Sequence, residues 1–346
     1  MTSKPTGALA LVESPAQLLN VVEAAFCIPD LAGLHIGVLA PTAGPTRDQL
    51  RTMAGLAREA GHELSWFEPR HGPAGVARTV RTLAGQLHGV DHLVVGDPFS
   101  GVIQLILTVT RFRGVTIVDD GTATLEFARL WTSARPLSRW HRAGVRGAPL
   151  PLLTTVRERM AGGVRRRLTD GHLRMFTALP VILPGVEVHR NGYAWVRSRW
   201  PAPEVKPAAD LVGTSLVETG VVQPERYQLG VQSLIERYQI HRYLAHRKET
   251  EPKLSQIGAL GVEVVRPDLP LELFARRGPV GRTVLSFPST VVHTLPLVLA
   301  GTGVQVQVCD IPPEWYVPRT NDQAGDFLGR VTSTARAEHG LAAVAC

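Results

Sequence analysis

The chain has 346 residues, of which 44% are hydrophobic and 19% are charged, and its formal net charge is +7. This length accommodates two ordinary domains, and the composition excludes a wholly disordered chain. No stretch approaches the roughly 20 apolar residues that span a bilayer. The 3 cysteines are scattered and form neither a metal-type spacing nor an evident disulfide framework. We therefore expect a reduced, cytoplasmic protein.

Short apolar runs alternate with amphipathic stretches along the first half of the chain. The runs ALALV (8–12), HIGVLA (35–40), HLVVG (92–96) and GVTIV (114–118) are predicted strands, with helical patterns between them. Strands separated by helices indicate parallel pairing with crossover helices. We expect a Rossmann-like acceptor domain over residues 1–200.

The segment 132–207 interrupts this alternation because it is rich in proline, glycine and arginine. We expect an irregular connector there. The alternation resumes near ADLVG (209–213) and continues to VQVQVCD (304–310), which predicts a second Rossmann-like domain over residues 208–346. Two such halves resemble the GT-B architecture, an α/β fold in which two Rossmann-like domains face each other across a cleft.

The connector carries a strip of basic side chains that allows two interpretations. It can contact anionic lipid or an acidic glycan, which would place the protein peripherally at the inner face of the membrane, or it can be a solvated helix face. Nucleic acid is a weaker alternative because no recognition module appears. The arginines of this strip are Arg135, Arg139, Arg142, Arg146, Arg157, Arg159, Arg165, Arg166, Arg167 and Arg174.

Two adjacent carboxylates follow the apolar run GVTIV. Open α/β sheets bind ligands at the carboxyl ends of their strands, so Asp119 and Asp120 are candidates for chemistry. Two like charges this close raise the pKa of one carboxyl, which can then act as a base near neutral pH. Gly121 permits a tight turn behind them. An Asx-type turn with a solvated aspartate explains the same residues.

Two further candidates follow strands of the second half. His246, in YLAHRKE, can hydrogen-bond or protonate an anionic leaving group. Ser289 and Thr290 follow TVLSF and open a helix, where hydroxyls and backbone N–H groups make a phosphate site. A strand-end histidine without a ligand and an ordinary N-cap are the structural alternatives.

The order of these motifs resembles that of bacterial sialyltransferases, nearest to the polysialyltransferase and lipooligosaccharide sialyltransferase group. Residues 119–121 are similar to its acidic pair followed by glycine, His246 to its His–Pro motif and residues 289–290 to its Ser–Ser/Thr motif. Arg247 stands where that family usually has proline. The phrases ESPAQLLNVVEAA, HLVVGDPFS, HLRMFTALP, DLVGTSLVETGVV and RPDLPLELF extend the resemblance over roughly residues 8–300.

The resemblance implies an inverting glycosyltransferase. Such enzymes move sialic acid or a related nonulosonic acid from a CMP-activated donor to a hydroxyl of a glycan or glycoconjugate. Carried onto this chain, Asp119 is the general base and Asp120 the reserve. His246 would hydrogen-bond or protonate the CMP phosphate, and Ser289 and Thr290 would bind it.

Further contacts follow from the same resemblance. Glu272 is a candidate for the exocyclic amine of cytosine, Gly213 for close approach to the nucleotide, and Arg247 for a phosphate contact. Gln17 and Gly121 are candidates for the acceptor. A solvated helix charge, a strand-to-loop glycine and an ordinary loop residue are the structural alternatives for Glu272, Gly213 and Gln17.

No metal and no other cofactor is expected, because one phosphate can be bound by a histidine and a helix terminus. His241, His246 and His293 follow no ligand spacing. The sequence leaves the oligomeric state open, although the resemblance allows a homodimer because dimers occur among the relatives. The alternatives left open are a glycosyltransferase with another nucleotide-sugar donor and a non-catalytic nucleotide- or glycan-binding homologue.

Overall fold

The chain forms two compact units, residues 1–195 and residues 196–346. Each unit is built on its own parallel sheet flanked by helices. This computed structural model describes residues 7–42, 44–87, 89–138, 151–318 and 322–345.

The first unit carries a seven-stranded sheet with the order β3-β2-β1-β4-β5-β6-β7, and every described pair is parallel. The order reverses between β1 and β4, which is the topological switch point where such sheets bind ligands. The strands are β1 (Ala8–Val12), β2 (His35–Leu39), β3 (Leu64–Phe67), β4 (His92–Val95), β5 (Gly114–Val118), β6 (His172–Thr177) and β7 (Glu187–Arg190). The helices are α1 (Pro15–Cys27), α2 (Pro45–Glu59), α3 (Gly72–Gln86), α4 (Gly101–Val109), α5 (Thr122–Thr132) and α6 (Pro151–Asp170).

The central strands read as continuous apolar runs because helices cover both faces of the sheet. All five residues of β1 and of β5 are buried. The helix after β1 starts sharply: the Ser14 hydroxyl accepts a hydrogen bond from the Gln17 backbone N–H, and Pro15 occupies the first turn. This cap fixes the loop that follows the carboxyl end of β1.

The expectation of an irregular connector over 132–207 is wrong. The segment contains α6, and β6 and β7 extend the first sheet in parallel beyond β5. The charged Arg174 interrupts the apolar run of β6, so the sequence pattern did not indicate a strand there. Its guanidinium is buried within the strand because it pairs with Asp30 at 2.9 Å.

Several arginines of the basic strip have structural contacts. Arg165 donates hydrogen bonds to backbone carbonyls in the last turn of α5, and Arg167 does the same in the last turn of α4. These guanidinium groups satisfy carbonyls that a helix terminus leaves without partners. Arg139, Arg142 and Arg146 lie outside the described residues. None of the described helices combines the length and the apolar character needed to cross a bilayer.

The second unit carries a six-stranded parallel sheet with the order β10-β9-β8-β11-β12-β13. Its order reverses between β8 and β11, so the same switch-point rule applies. The strands are β8 (Val205–Val212), β9 (Ile240–Leu244), β10 (Glu263–Val265), β11 (Val280–Ser286), β12 (Gln305–Asp310) and β13 (Ala342–Ala345). The helices are α7 (Ala194–Arg199), which spans the boundary of the units, α8 (Pro224–Tyr238), α9 (Glu251–Gly258), α10 (Leu271–Arg277), α11 (Val291–Val298) and α12 (Asp322–His339).

Candidate functional site

Three carboxylates follow three neighbouring strands of the first unit. Glu13 comes directly after β1, Asp97 lies two residues after β4, and Asp120 lies two residues after β5. Because β1, β4 and β5 are adjacent and parallel, their carboxyl ends meet at one edge of the sheet. The charges of Asp97 and Asp120 both act on Glu13. The switch point of this sheet is therefore acidic.

Glu13 has the properties of a base at neutral pH. Its side chain is only 10% exposed, and burial is the main reason why its pKa rises to about 7. The charges of Asp97 and Asp120 raise the pKa further, whereas a hydrogen bond from Ser100 and the Arg70 guanidinium 3.4 Å away oppose the rise. A carboxyl group with this pKa is about half ionised at pH 7, which suits proton transfer.

Asp120 lies beside Glu13 and is half-buried. The Ser14 hydroxyl, which also caps α1, donates to Asp120 Oδ1 at 3.3 Å. The Asp120 backbone N–H donates to the Thr124 hydroxyl at 3.0 Å. Gly121 follows with a φ of 62°, a conformation that favours glycine, and precedes α5. The predicted tight turn is present, and the acceptor contact of Gly121 stays a prediction.

Asp119 is enclosed and only 4% exposed. Its Oδ1 accepts from the Thr177 hydroxyl at 2.5 Å, and its Oδ2 accepts from the Ala178 backbone N–H at 2.6 Å. Burial raises its pKa to about 6, although these hydrogen bonds act against the rise. A general base must touch the proton that it removes. The geometry therefore gives Asp119 a structural role, and the catalytic roles of Asp119 and Asp120 stay predictions.

Gln17 supports the Glu13 loop from inside the unit. Its side chain is buried, and its Oε1 accepts from the Glu13 backbone N–H at 2.7 Å. The side chain packs against Gly96, where an added Cβ would lie 2.3 Å from it. This enclosed position gives Gln17 a positioning role, and its acceptor contact stays a prediction.

In the second unit, His246 follows β9 in a turn held by hydrogen bonds. The Glu249 backbone N–H donates to the His246 carbonyl at 2.9 Å, and the His246 backbone N–H donates to Glu249 Oε2 at 2.6 Å. The Lys248 backbone N–H donates to His246 Nδ1 at 3.2 Å, so the ring proton is assigned to Nε2.

The imidazole of His246 is neutral at pH 7. Burial, and after it the charges of Arg247, Lys248 and Lys253, lower its pKa to about 4. A neutral ring with its proton on Nε2 donates a hydrogen bond but does not deliver a proton readily. Of the two roles expected for His246, both of which stay predictions, the lowered pKa favours hydrogen bonding to a phosphate over protonating it.

A buried polar network underlies this turn and was not predicted from the sequence. The Glu249 side chain has no exposed surface and accepts from the Tyr243 hydroxyl at 2.5 Å. Lys253 Nζ lies 2.7 Å from Glu249 Oε1 and donates to the Thr214 carbonyl at 2.8 Å. The Tyr227 hydroxyl lies 2.6 Å from that of Tyr243. Such a satisfied network fixes the turn after β9.

Gly213 serves this network. An added Cβ would lie 2.3 Å from Glu249 Oε2 and 2.6 Å from the Tyr243 hydroxyl. The glycine is therefore required by packing between β8 and the turn after β9. This explanation differs from the predicted one, in which Gly213 lets a nucleotide approach the backbone.

Ser289 and Thr290 lie between β11 and α11 and are partly exposed. β9 and β11 both border β8, so the loops that carry His246 and Ser289 begin at the same edge of the sheet, about 10 Å apart. Glu272 of α10 is half-buried, and its Oε1 accepts from the Thr294 hydroxyl of α11 at 2.7 Å. The predicted donor residues thus follow strands at the carboxyl edge of the second sheet, and Gly213 among them is enclosed.

The sequence also contains a signal for Glu13. The carboxylate stands immediately after ALALV, just as Asp119 stands immediately after GVTIV. The expectation that ligands bind at strand ends applies equally to both. The structure adds that the end of β1 lies at the switch point and that the Glu13 side chain is mostly removed from water.

No protein-family model and no curated protein sequence matches the chain. Among solved structures, a protein described as a UDP-N-acetylglucosamine 2-epimerase from Listeria monocytogenes aligns with a TM-score of 0.52 and 10% identity, covering 97% of this chain and 90% of that one. The S. aureus MnaA–UDP complex aligns with a TM-score of 0.50 and 12% identity, covering 97% and 92%. Identities this low concern the fold alone. With two parallel-sheet α/β units, the fold class is GT-B, as predicted.

Proposed function

We propose that the protein is a glycosyltransferase that moves a sugar from a nucleotide-activated donor to an acceptor hydroxyl. The observation that carries this proposal is the Glu13 carboxyl group, with a pKa of about 7, at the switch point of the first sheet. Asp120 lies beside it and is the second candidate base. The proposal assigns acceptor activation to the first unit and nucleotide binding to the second.

In the acceptor step, Glu13 takes the proton of the acceptor hydroxyl as its oxygen forms a bond to the anomeric carbon of the sugar. The bond between that carbon and the donor phosphate breaks, and its electron pair stays on the phosphate oxygen. A positioned base contributes about 10²–10⁴ to the rate. Gln17 holds the Glu13 backbone, which keeps the carboxylate oriented.

The departing phosphate needs hydrogen-bond donors rather than an acid. His246 offers Nε2–H, and Ser289 and Thr290 offer hydroxyls at the beginning of α11. Arg247 adds a positive charge next to His246. Donors already in position stabilise the charge that develops on the leaving oxygen. In this proposal the step proceeds without a metal ion.

The donor is proposed to carry a pyrimidine nucleotide. The sialyltransferase resemblance favours a CMP-activated nonulosonic acid, whereas the structural neighbours include a complex with UDP and a protein named for UDP-N-acetylglucosamine. The other nucleotide-sugar donor that the sequence left open is therefore a full competitor. We expect Glu272 to discriminate between cytidine and uridine nucleotides, because a carboxylate accepts a hydrogen bond from the amine of cytosine and repels the O4 oxygen of uracil.

The acceptor is proposed to be a glycan or a glycoconjugate. Membrane contact through the arginine strip and homodimer formation are proposals that accompany it. A non-catalytic nucleotide-binding homologue is the remaining alternative, and it predicts binding without turnover.

Nucleotide-dependent thermal unfolding tests the donor half of the proposal. CMP, UMP, UDP and ADP are compared at equal concentration on wild type and on the Ser289→Ala/Thr290→Ala double variant. We expect CMP or a uridine nucleotide to raise the Tm of wild type more than ADP does, and the double variant to lose most of that rise. Ser255→Ala, at an exposed position of α9, is the matched control. No stabilisation by any nucleotide, or equal stabilisation of the double variant, would count against the proposed nucleotide site at Ser289 and Thr290.

A further inference from the structure

Two imidazoles and one carboxylate converge where α11 meets α12 in the second unit. His293 Nδ1 lies 3.6 Å from Glu338 Oε2, and His339 Nε2 lies 3.9 Å from the same oxygen. One potential ligand atom from each of the three residues falls within 4.8 Å of the others. We propose that His293, Glu338 and His339 bind one transition-metal cation of the Zn²⁺ type.

The hydrogen bonds around His293 leave its Nδ1 suited to a cation. The Thr334 hydroxyl donates to the Arg330 carbonyl at 2.7 Å, so its oxygen is the acceptor toward His293 Nε2, 3.4 Å away. With the proton on Nε2, Nδ1 presents its lone pair toward Glu338 Oε2. Two acceptor atoms 3.6 Å apart repel each other unless a second ring proton or a metal cation lies between them, and a cation can replace that proton.

This arrangement matches the usual surroundings of a histidine ligand. A metal-bound imidazole commonly donates its other N–H to an oxygen, which fixes the ring and its tautomer. Thr334 provides that oxygen for His293. The ring is also buried, with 1% of its side chain exposed, so it has little freedom to turn away.

The spacing suits a small cation. Ligand atoms that lie about 2.0–2.1 Å from a tetrahedral Zn²⁺ are about 3.3 Å apart. The observed 3.6 Å and 3.9 Å are slightly longer, and the three ligand atoms lie within 4.8 Å of one another, so binding requires small torsions of Glu338, which is 24% exposed, and of the His339 ring. Two imidazoles and one carboxylate favour Zn²⁺ over Mg²⁺ or Ca²⁺, which prefer oxygen ligands.

A cavity beside the cluster gives the ion a path to solvent. It has a volume of about 460 Å³ and is lined by His339 together with Leu299, Gln305 and Leu341. Water from this cavity can complete a fourth ligand position. A bound ion would join α11 to α12, so it would stabilise the second unit.

Metal binding by the full-length chain tests the site. The protein, without an affinity tag and after treatment with a chelator, is titrated with Zn²⁺ in competition with a chromophoric chelator. We expect one tight equivalent per chain and a higher Tm with Zn²⁺. Substituting a residue that only hydrogen-bonds to a metal ligand weakens metal binding about 10–100-fold. Glu338→Gln and His339→Gln each remove a ligand itself, so each should weaken Zn²⁺ binding by about 100-fold or more. Co²⁺ in place of Zn²⁺ should give visible absorption bands of tetrahedral type.

The same Zn²⁺ titration is applied to a control variant and can give two results that contradict the proposal. His241→Gln replaces an exposed histidine of β9 and should bind Zn²⁺ as wild type does. His293→Gln removes a buried ring and can unfold the unit, so Glu338→Gln, at a partly exposed position, keeps the test informative. Wild type that takes up no tight Zn²⁺, or Glu338→Gln and His339→Gln proteins that bind it like wild type, would overturn the proposal.

Discussion

The Thr177 hydroxyl donates a hydrogen bond of 2.5 Å to Asp119 Oδ1. Ala178 donates its backbone N–H to Oδ2 of the same carboxylate, so both oxygens are engaged by the end of β6. Asp119, the general base that the motif resemblance implies, is therefore part of the joint between β5 and β6.

Asp119→Asn should destabilise the protein. The amide group places N–H hydrogens opposite the Thr177 hydroxyl or the Ala178 backbone N–H, where the native structure needs an acceptor. A buried donor left without its acceptor costs about 1–3 kcal/mol. Urea unfolding measures this loss, with Asp120→Asn as the less buried control. Unchanged stability together with abolished turnover would restore Asp119 as the base.

Glu13→Gln should reduce turnover by about 10²–10⁴, because the amide cannot accept the acceptor proton. In wild type, the rate should rise with pH through about 7, where Glu13 loses its proton. The exposed Glu63→Gln serves as a control. Normal turnover of the Glu13→Gln enzyme would show that Glu13 is not the base, and the role would then fall to Asp120 or the mechanism would be wrong.

The same substitution predicts a pH-dependent gain in stability. The folded-state pKa of Glu13 is raised above its ordinary value of 4.5, so the folded protein holds this proton more tightly than the unfolded chain. Its contribution is complete below about pH 4.5 and is lost as pH rises through 7. Glu13→Gln should therefore gain stability relative to wild type between pH 5 and pH 8 in urea unfolding. A constant difference across that range would contradict the raised pKa.

His246→Gln should keep more nucleotide affinity than His246→Ala. Glutamine can still donate an N–H to a phosphate oxygen, and donation rather than protonation is the role that a pKa of about 4 allows. Nucleotide Kd measured by calorimetry compares the two variants with wild type. If glutamine and alanine were equally poor and wild-type affinity depended on the protonated ring, an acid role would be favoured instead.

Gly213→Ala should destabilise the second unit by about 1–3 kcal/mol, because its Cβ meets Glu249 and Tyr243 in a fully packed polar network. Gly258→Ala in α9, where the new Cβ makes an ordinary contact of 3.6 Å, is the matched control. Denaturant unfolding measures both. Equal stability of the two variants would show that the turn after β9 can shift to make room for the added methyl group.

The strand pattern could be predicted because it depends on local periodicity. The strands β1, β2, β4 and β5 begin where the sequence predicted, and each ends within one residue of the predicted end. The strand β6 was missed because its apolar run contains Arg174. The partner of Arg174 is Asp30, which lies 144 residues away in the chain. No short stretch of sequence contains both residues, so a local pattern cannot indicate that Arg174 is buried.

The sequence by itself determined two α/β halves and the strand ends at which polar residues lie, because alternating apolar runs and helical periods are local properties. Tertiary structure alone decided what those polar residues can do. β6 pairs with β5 and encloses Asp119, whereas the adjacency of β1, β4 and β5 brings Glu13 close to Asp97 and Asp120. The physical reason is that desolvation and charge proximity, which set the pKa values, depend on neighbours distant in sequence.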